Sequence, residues 1–365
     1  MQDDYAIGEY ETRVSTHKDL IHDVAFDWHG ERVATCSSDQ DVHVYKVNSN
    51  RLELTHSFRA HNGSVWKVVW AHPEFGSVFA TCSFDRTASI WEEGPVELWR
   101  PGSPETCWKK VASLVDSRSS VTDIKFAPHH LGLMLATVSV GGSLRVYEAA
   151  DITNLTSWIS VEISIKLQLS CVDWSNIRRY KPLIAVGSDF TDSSPENRVH
   201  VVEYRGRNWH RLKVPFINIR DPVYDIKFQP AQGRSAHLVA IATKGIRLAV
   251  LKPQVGSDES APFESKSLIQ LSTNNSRVRR LAWNITGTIL ASTGDDGFVR
   301  LWQANYLQNW KLYKKVQLTH KELNGFSPEP SPTISNSSQP EFTEESVRRH
   351  SRTSSAKFSV KKDIY

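Results

Sequence analysis

The chain has 365 residues, enough for one large domain or two ordinary ones and for a core that needs no covalent staples. Its formal charge of +4 and sequence pI near 8.7 are a mild excess, without the concentrated basic face of a dedicated nucleic-acid binder. No run approaches the roughly 18 apolar residues of a membrane span, and Asp3 and Asp4 stand where a secretory signal needs a basic and then apolar stretch. A soluble intracellular protein is therefore expected, with no direct nucleic-acid partner and no membrane insertion. Cys36, Cys82, Cys107 and Cys171 are too widely spaced for a zinc knuckle or a redox pair and read as buried reduced thiols. On the same grounds the Asn-x-Ser/Thr matches at Asn62 and Asn284 are chance patterns.

In chain order the first predicted element is a strand over residues 7–14, with Tyr10, Thr12 and Val14 on one face and charged residues largely on the other. Six alternating segments follow, each ending on an aromatic: 24–26, 68–70, 123–126, 171–174, 225–228 and 280–283. Their aromatics recur about every 44 to 56 residues. A small-residue strand, a turn and a third strand come next. They are 33–39 then 42–45 in the first copy, 79–85 then 88–91 in the second, and 290–296 then 299–302 in the sixth. A series in register over residues 20 to 318 resembles the WD40 family, which implies an all-β propeller with four strands per blade.

Within that resemblance the second copy carries the fullest polar set: His61, Thr81 or Ser83, Asp85 and Trp91. Asp39, Asp296 and Trp302 hold corresponding places in the first and sixth copies. A His, a hydroxyl and an Asp together could pass for a hydrolase relay, but no nucleophile motif or oxyanion loop accompanies them. In this family the set bonds internally and fixes the blade, so no catalytic, metal-ligating or cofactor-binding residue is assigned. Gly141 replaces the turn Asp in the third copy, and the fourth and fifth close on Val202–Glu203 and Ala249–Val250 without an aromatic. Apolar packing must hold those blades.

Fourth strands are predicted at 52–58, 108–114, 158–163, 209–214, 267–271 and 310–316, one for every copy. The strand at 7–14 is then surplus. It would belong to a seventh slot whose three inner strands are missing, leaving an open six-bladed ring with apolar faces that another chain covers by strand addition.

Residues 17–24, 34–39, 70–76, 82–87, 121–128, 131–137 and 283–288 narrow the resemblance. They are similar to the animal nucleoporin branch of the WD40 family, homologous to the Sec-thirteen coat protein. That resemblance implies an open propeller whose last blade is donated by an α-solenoid partner. One such partner is an α-solenoid nucleoporin of the Y-shaped nuclear pore complex. Another is the Mio-type subunit of the GATOR complex, which regulates TOR signalling. Implied locations are the nuclear envelope at pores, a lysosomal pool and mitotic kinetochores. Carried over by position, the slot is walled by Val24, Phe26, Val42 and Val44 of the first blade and Val299 and Leu301 of the sixth, and edged by Ile7, Tyr10 and Val14. The competing expectation is that half or more of these residues pack only within the chain.

From about residue 319 the sequence turns Ser-, Pro- and Asn-rich and ends in a basic cluster from Arg348 to Lys362, so a propeller over 1–318 and a disordered tail over 319–365 are expected. Ser327 and Ser331 precede prolines and Ser351 follows basic residues, which suits phosphorylation. Other readings remain open: a closed propeller that reads peptides, a subunit of a COPII-type coat, and, less supported, a hydrolytic propeller.

Overall fold

The computed structural model describes residues 16–48, 51–95, 106–191, 197–212, 219–230, 235–253, 263–271, 276–305 and 309–317. All lie in the first of two units, Met1–Thr319, and none in the second, His320–Tyr365. They form six four-stranded antiparallel sheets, each with its strands side by side in chain order. The sheets are the blades of a propeller. Their innermost strands are Ile21–Phe26, Val65–Trp70, Val121–Phe126, Cys171–Trp174, Asp225–Phe228 and Val278–Trp283, and each contains or coincides with an aromatic-ended segment of the sequence. The fourth strands run Arg51–Arg59, Thr106–Leu114, Trp158–Ser164, Asn208–Leu212, Phe263–Leu271 and Trp310–Gln317.

Strand alternation decides which blade each side chain meets. On an inner strand, the aromatic and the residue two before it point back toward the preceding blade. Val68, Ile124, Val172, Ile226 and Leu281 are accordingly buried, at most 4% exposed. The small residues of the second and third strands point forward: Ala34, Cys36, Val42 and Val44 share a core with Val68 and Phe79 of the next blade. Five such cores fill the five seams between consecutive blades. Each fully buried Val, Leu or Ile contributes on the order of 1.5–3 kcal/mol, so these seams hold the blades in sequence.

The inner-strand aromatics alternate. Odd blades end on Phe26, Phe126 and Phe228, even blades on Trp70, Trp174 and Trp283. Each tryptophan donates its indole N–H to a carbonyl of the blade before it, Ala25 at 3.0 Å, Lys125 at 3.1 Å and Lys227 at 3.2 Å. Each also meets an indole of its own fourth strand edge-on, Trp108, Trp209 and Trp310, at 5.5 to 5.6 Å. The blades are thereby stitched in pairs, first to second, third to fourth and fifth to sixth.

The hairpin joining second and third strands has one left-handed residue in four blades: Gln40, Arg86, Gly142 and Gly297. At Gly142 the need is strict, because a Cβ there would meet the Leu167 carbonyl oxygen at 2.7 Å. Cys36, Cys82 and Cys171 are buried thiols as expected, and burial raises all three well above their ordinary range, whereas Cys107 is half-buried. Among the described residues no helix is long and apolar enough to cross a membrane.

Candidate functional site: the open faces of the first and sixth blades

The polar set of the second blade is a linear relay of hydrogen bonds. Trp91 donates its indole N–H to Thr81 Oγ1 at 3.0 Å, and Thr81 Oγ1 lies 2.7 Å from His61 Nε2. His61 Nδ1 lies 3.0 Å from Asp85 Oδ2. The Asp85 carboxylate can only accept, so His61 Nδ1 donates to it, and in the neutral imidazole Nε2 then accepts from the Thr81 hydroxyl. Burial pushes the Asp85 carboxyl up, but hydrogen bonds from His61, Thr87 and the Asn62 N–H outweigh it and hold it well below the carboxylate range. The relay is closed inside the blade, with Thr81 0% and His61 3% exposed, so its hydroxyl faces no solvent or cleft.

The first blade repeats the relay through a histidine that the sequence reading did not assign: His17 Nε2 lies 2.8 Å from Thr35 Oγ1, and Nδ1 lies 2.9 Å from Asp39. His17 precedes Asp39 by nearly the same interval as His61 precedes Asp85, and that interval was the available signal. In the sixth blade Trp302 donates to Ser292 Oγ at 3.0 Å, while Asp296 is held by Arg300 and by Ser276 at 3.0 Å. Chiefly through Arg300, the Asp296 carboxyl is lowered to about 2.

A second polar system, also absent from the sequence reading, lines the central channel. Asp23 accepts from the Val68 N–H at 3.4 Å, Asp123 from Val172 at 2.9 Å, Asp173 from Phe228 at 2.6 Å and Asp225 from Leu281 at 2.9 Å. Each bond crosses from one inner strand to the next. Lys227 Nζ pairs with Asp225 at 3.1 Å, and although burial would lower the ammonium, Asp225, Asp173 and Asp123 raise it. These residues follow no short motif; they are recognised only once the six inner strands are aligned on their aromatics.

Between the sixth and first blades the described residues form no core. Val24 and Phe26 are 56% and 62% exposed, although they hold the positions of buried Val68 and of Phe126, which is 8% exposed. Leu20 and Trp28 flank them and are also exposed. On the opposite side, Ala291, Thr293, Val299 and Leu301 of the sixth blade are only half-buried, whereas their counterparts Ala34, Cys36, Val42 and Val44 are buried. The inner strands Ile21–Phe26 and Val278–Trp283 line one channel of about 500 Å³ but do not pack on each other as consecutive blades do. The described residues thus leave two unlike apolar faces uncovered, one looking backward and one forward.

Of the residues assigned to the slot, Val24, Phe26, Val299 and Leu301 lie on these faces. Val42 and Val44 do not. They belong to the forward face of the first blade and are sealed against the second, at 0% and 1% exposure, because side chains of the inner strand and of the third strand look to opposite neighbours. Ile7, Tyr10 and Val14, and likewise Ser327, Ser331 and Ser351, lie outside the described residues.

Six meandering blades with an indole–threonine–histidine–aspartate relay define a WD-repeat propeller. Residues 8–46, 52–92 and 265–303 match the WD domain, G-beta repeat family. Over 322 residues the chain is 51% identical to nucleoporin SEH1 of Bos taurus, covering 85% of this chain and 89% of that protein. It is 51% identical over 306 residues to nucleoporin SEH1-B of Xenopus laevis, covering 81% and 84%, and 48% identical over 320 residues to nucleoporin SEH1 of Danio rerio, covering 85% and 88%. The chain belongs to the nucleoporin SEH1 family.

Proposed function

We propose that this chain is a non-catalytic scaffold subunit of the nuclear pore, and that it binds an α-solenoid nucleoporin of the Y-shaped complex by accepting β-strands between its sixth and first blades. The observation that carries the reading is the pair of apolar faces that the described residues leave uncovered, where Val24 stands exposed in a place that is buried at every other seam and Phe26 in one that is buried or half-buried there. A closed peptide-reading propeller would bury them. The phase of the repeat matches supports the same reading. The matches over 52–92 and 265–303 begin in the fourth strand of one blade and end in the third strand of the next. The match over 8–46 ends in the first blade's third strand, which gives its leading residues the fourth-strand place of a blade before the first. Ile7, Tyr10 and Val14 would edge that blade, and the partner would supply its three inner strands.

The family resemblance extends the reading to the Mio-type subunit of the GATOR complex and so to TOR signalling. A single slot admits one donor at a time, so pore-bound, lysosomal and kinetochore pools would be distinct populations. The propeller is assigned to 1–318 and a regulatory tail to 319–365, with Ser327, Ser331 and Ser351 as phosphate acceptors. The slot is tested with Phe26→Asp and Leu301→Asp in the full chain, titrated against the recombinant α-solenoid nucleoporin. Binding should weaken by about 100-fold or more in each, with unfolding of the isolated chain little changed. Wild-type affinity in both variants refutes the slot.

A further inference from the structure

The neighbours of the slot fix one chemical property of the strand that enters it, an inference that rests on the slot reading above. On every inner strand, the N–H two residues before the terminal aromatic points away from its own sheet. In the second to sixth blades an aspartate accepts it: Asp23 for Val68 at 3.4 Å, Asp123 for Ile124 and for Val172 at 2.9 Å each, and Asp225 for Ile226 at 3.0 Å and Leu281 at 2.9 Å. Val24 holds the sixth such position, and no side chain among the described residues accepts from its N–H.

Three residues before the aromatic, the blades read Asp23, Lys67, Asp123, Cys171, Asp225 and Arg280. Odd blades carry the acid there, even blades a cation or a thiol. Lys67 shows what an even-blade cation does, for its Nζ lies 3.5 Å from Asp23 and 3.9 Å from Asp123, between the acids of the blades on either side. Arg280 is placed to do the same after the sixth blade, but only the Asp225 side is furnished. It is exposed, it makes no ion pair with a described carboxylate, and it lines the same channel as Val24 and His22. Burial lowers the His22 imidazole, and Arg280 adds to that against the opposing pull of Asp19 and Asp23. The inner mouth of the gap is therefore cationic on the Arg280 side and lacks an acceptor on the Val24 side.

We propose that the innermost strand of the donated blade carries an aspartate or glutamate three residues before its end, and that this carboxylate accepts from the Val24 N–H and pairs with Arg280. Closing the slot removes water from both groups. A strand with an apolar residue at this position would leave a guanidinium and an amide without partners, and one with Lys or Arg would add like-charge repulsion. The position therefore discriminates among strands that fit the apolar walls equally well.

The test uses the full chain and the recombinant α-solenoid nucleoporin named above, titrated at low and at physiological salt. Arg280→Glu should weaken binding by about 30-fold or more, and Arg280→Lys by less than about 3-fold. Restoration of the Arg280→Glu complex by a lysine at the donor's acidic position would establish the pair. Because Arg280 is exposed in the isolated chain, its variants should unfold like wild type. Leu301→Asp is measured in parallel. If Leu301→Asp abolishes binding while Arg280→Glu binds normally, the acidic strand is refuted and the slot stands. If neither variant changes binding, or the wild-type chain does not bind the solenoid, the slot itself is refuted and this inference with it.

Discussion

Thr81 holds the second blade's relay together, because its one oxygen accepts from Trp91 and donates to His61. Thr81→Val keeps the shape and leaves two buried polar atoms without partners. A loss of about 2–3 kcal/mol is expected in urea unfolding, whereas Thr81→Ser, which keeps the hydroxyl, should lose less than half of that. His61, Asp85 and Trp91 were legible in the sequence because this blade repeats the family pattern most fully. His17 was not, because the first blade ends on Tyr45, whose hydroxyl bonds to Thr16 Oγ1 at 2.8 Å and leaves no indole to mark the set. The channel aspartates escaped for another reason. A single Asp on an alternating strand looks like an exposed-face residue, and its bond to the next strand's amide joins residues about 45 to 56 apart in sequence.

At the level of the strand, the aromatic-ended segments and the run of fourth strands were readable to within a few residues, since period-two alternation bounded by turns is a local property. Orientation was not local. Whether a strand face looks to the blade before or the blade after depends on how the blades stack, and Val42 and Val44 were placed on the wrong side of their own blade for that reason. The difference is measurable. Val42→Asp puts a charge into the sealed first seam and should cost at least about 3 kcal/mol. Leu301→Asp puts the same charge on the uncovered forward face and should cost under about 1 kcal/mol in the isolated chain. Equal costs in chemical denaturation would mean that the two faces are not distinct.

For the whole molecule, the count of complete blades against a surplus strand was enough to suggest an open ring, because it needs only order along the chain. The electrostatics of the interior needed coordinates. The fourth and fifth blades, which lack the relay aspartate and closing aromatic, bury two histidines instead. His200 sits beside the Arg211 guanidinium at 2.8 Å, and His237 Nδ1 lies 2.6 Å from Ser175 Oγ. Burial lowers both imidazoles to about 4, with Arg211 adding to the shift at His200. In an unfolded chain they would titrate near 6.5. The folded state thus favours the neutral rings. Their contribution is complete above about pH 6.5 and is lost progressively as pH falls toward 4, by at most about 3 kcal/mol each. Unfolding free energies measured from pH 7 to 4 should fall over this range, and His200→Gln with His237→Gln should flatten the profile. The pairing of blades bears on how the chain is made. Each tryptophan-stitched pair spans about 100 residues, the size of a small domain. During synthesis the second blade emerges with the carbonyl of its mate already in place, and each completed pair offers a forward face to the next. Growth from the N-terminus covers each forward face as the next blade arrives, so among the described residues the two faces left over are the backward face of the first blade to be made and the forward face of the last.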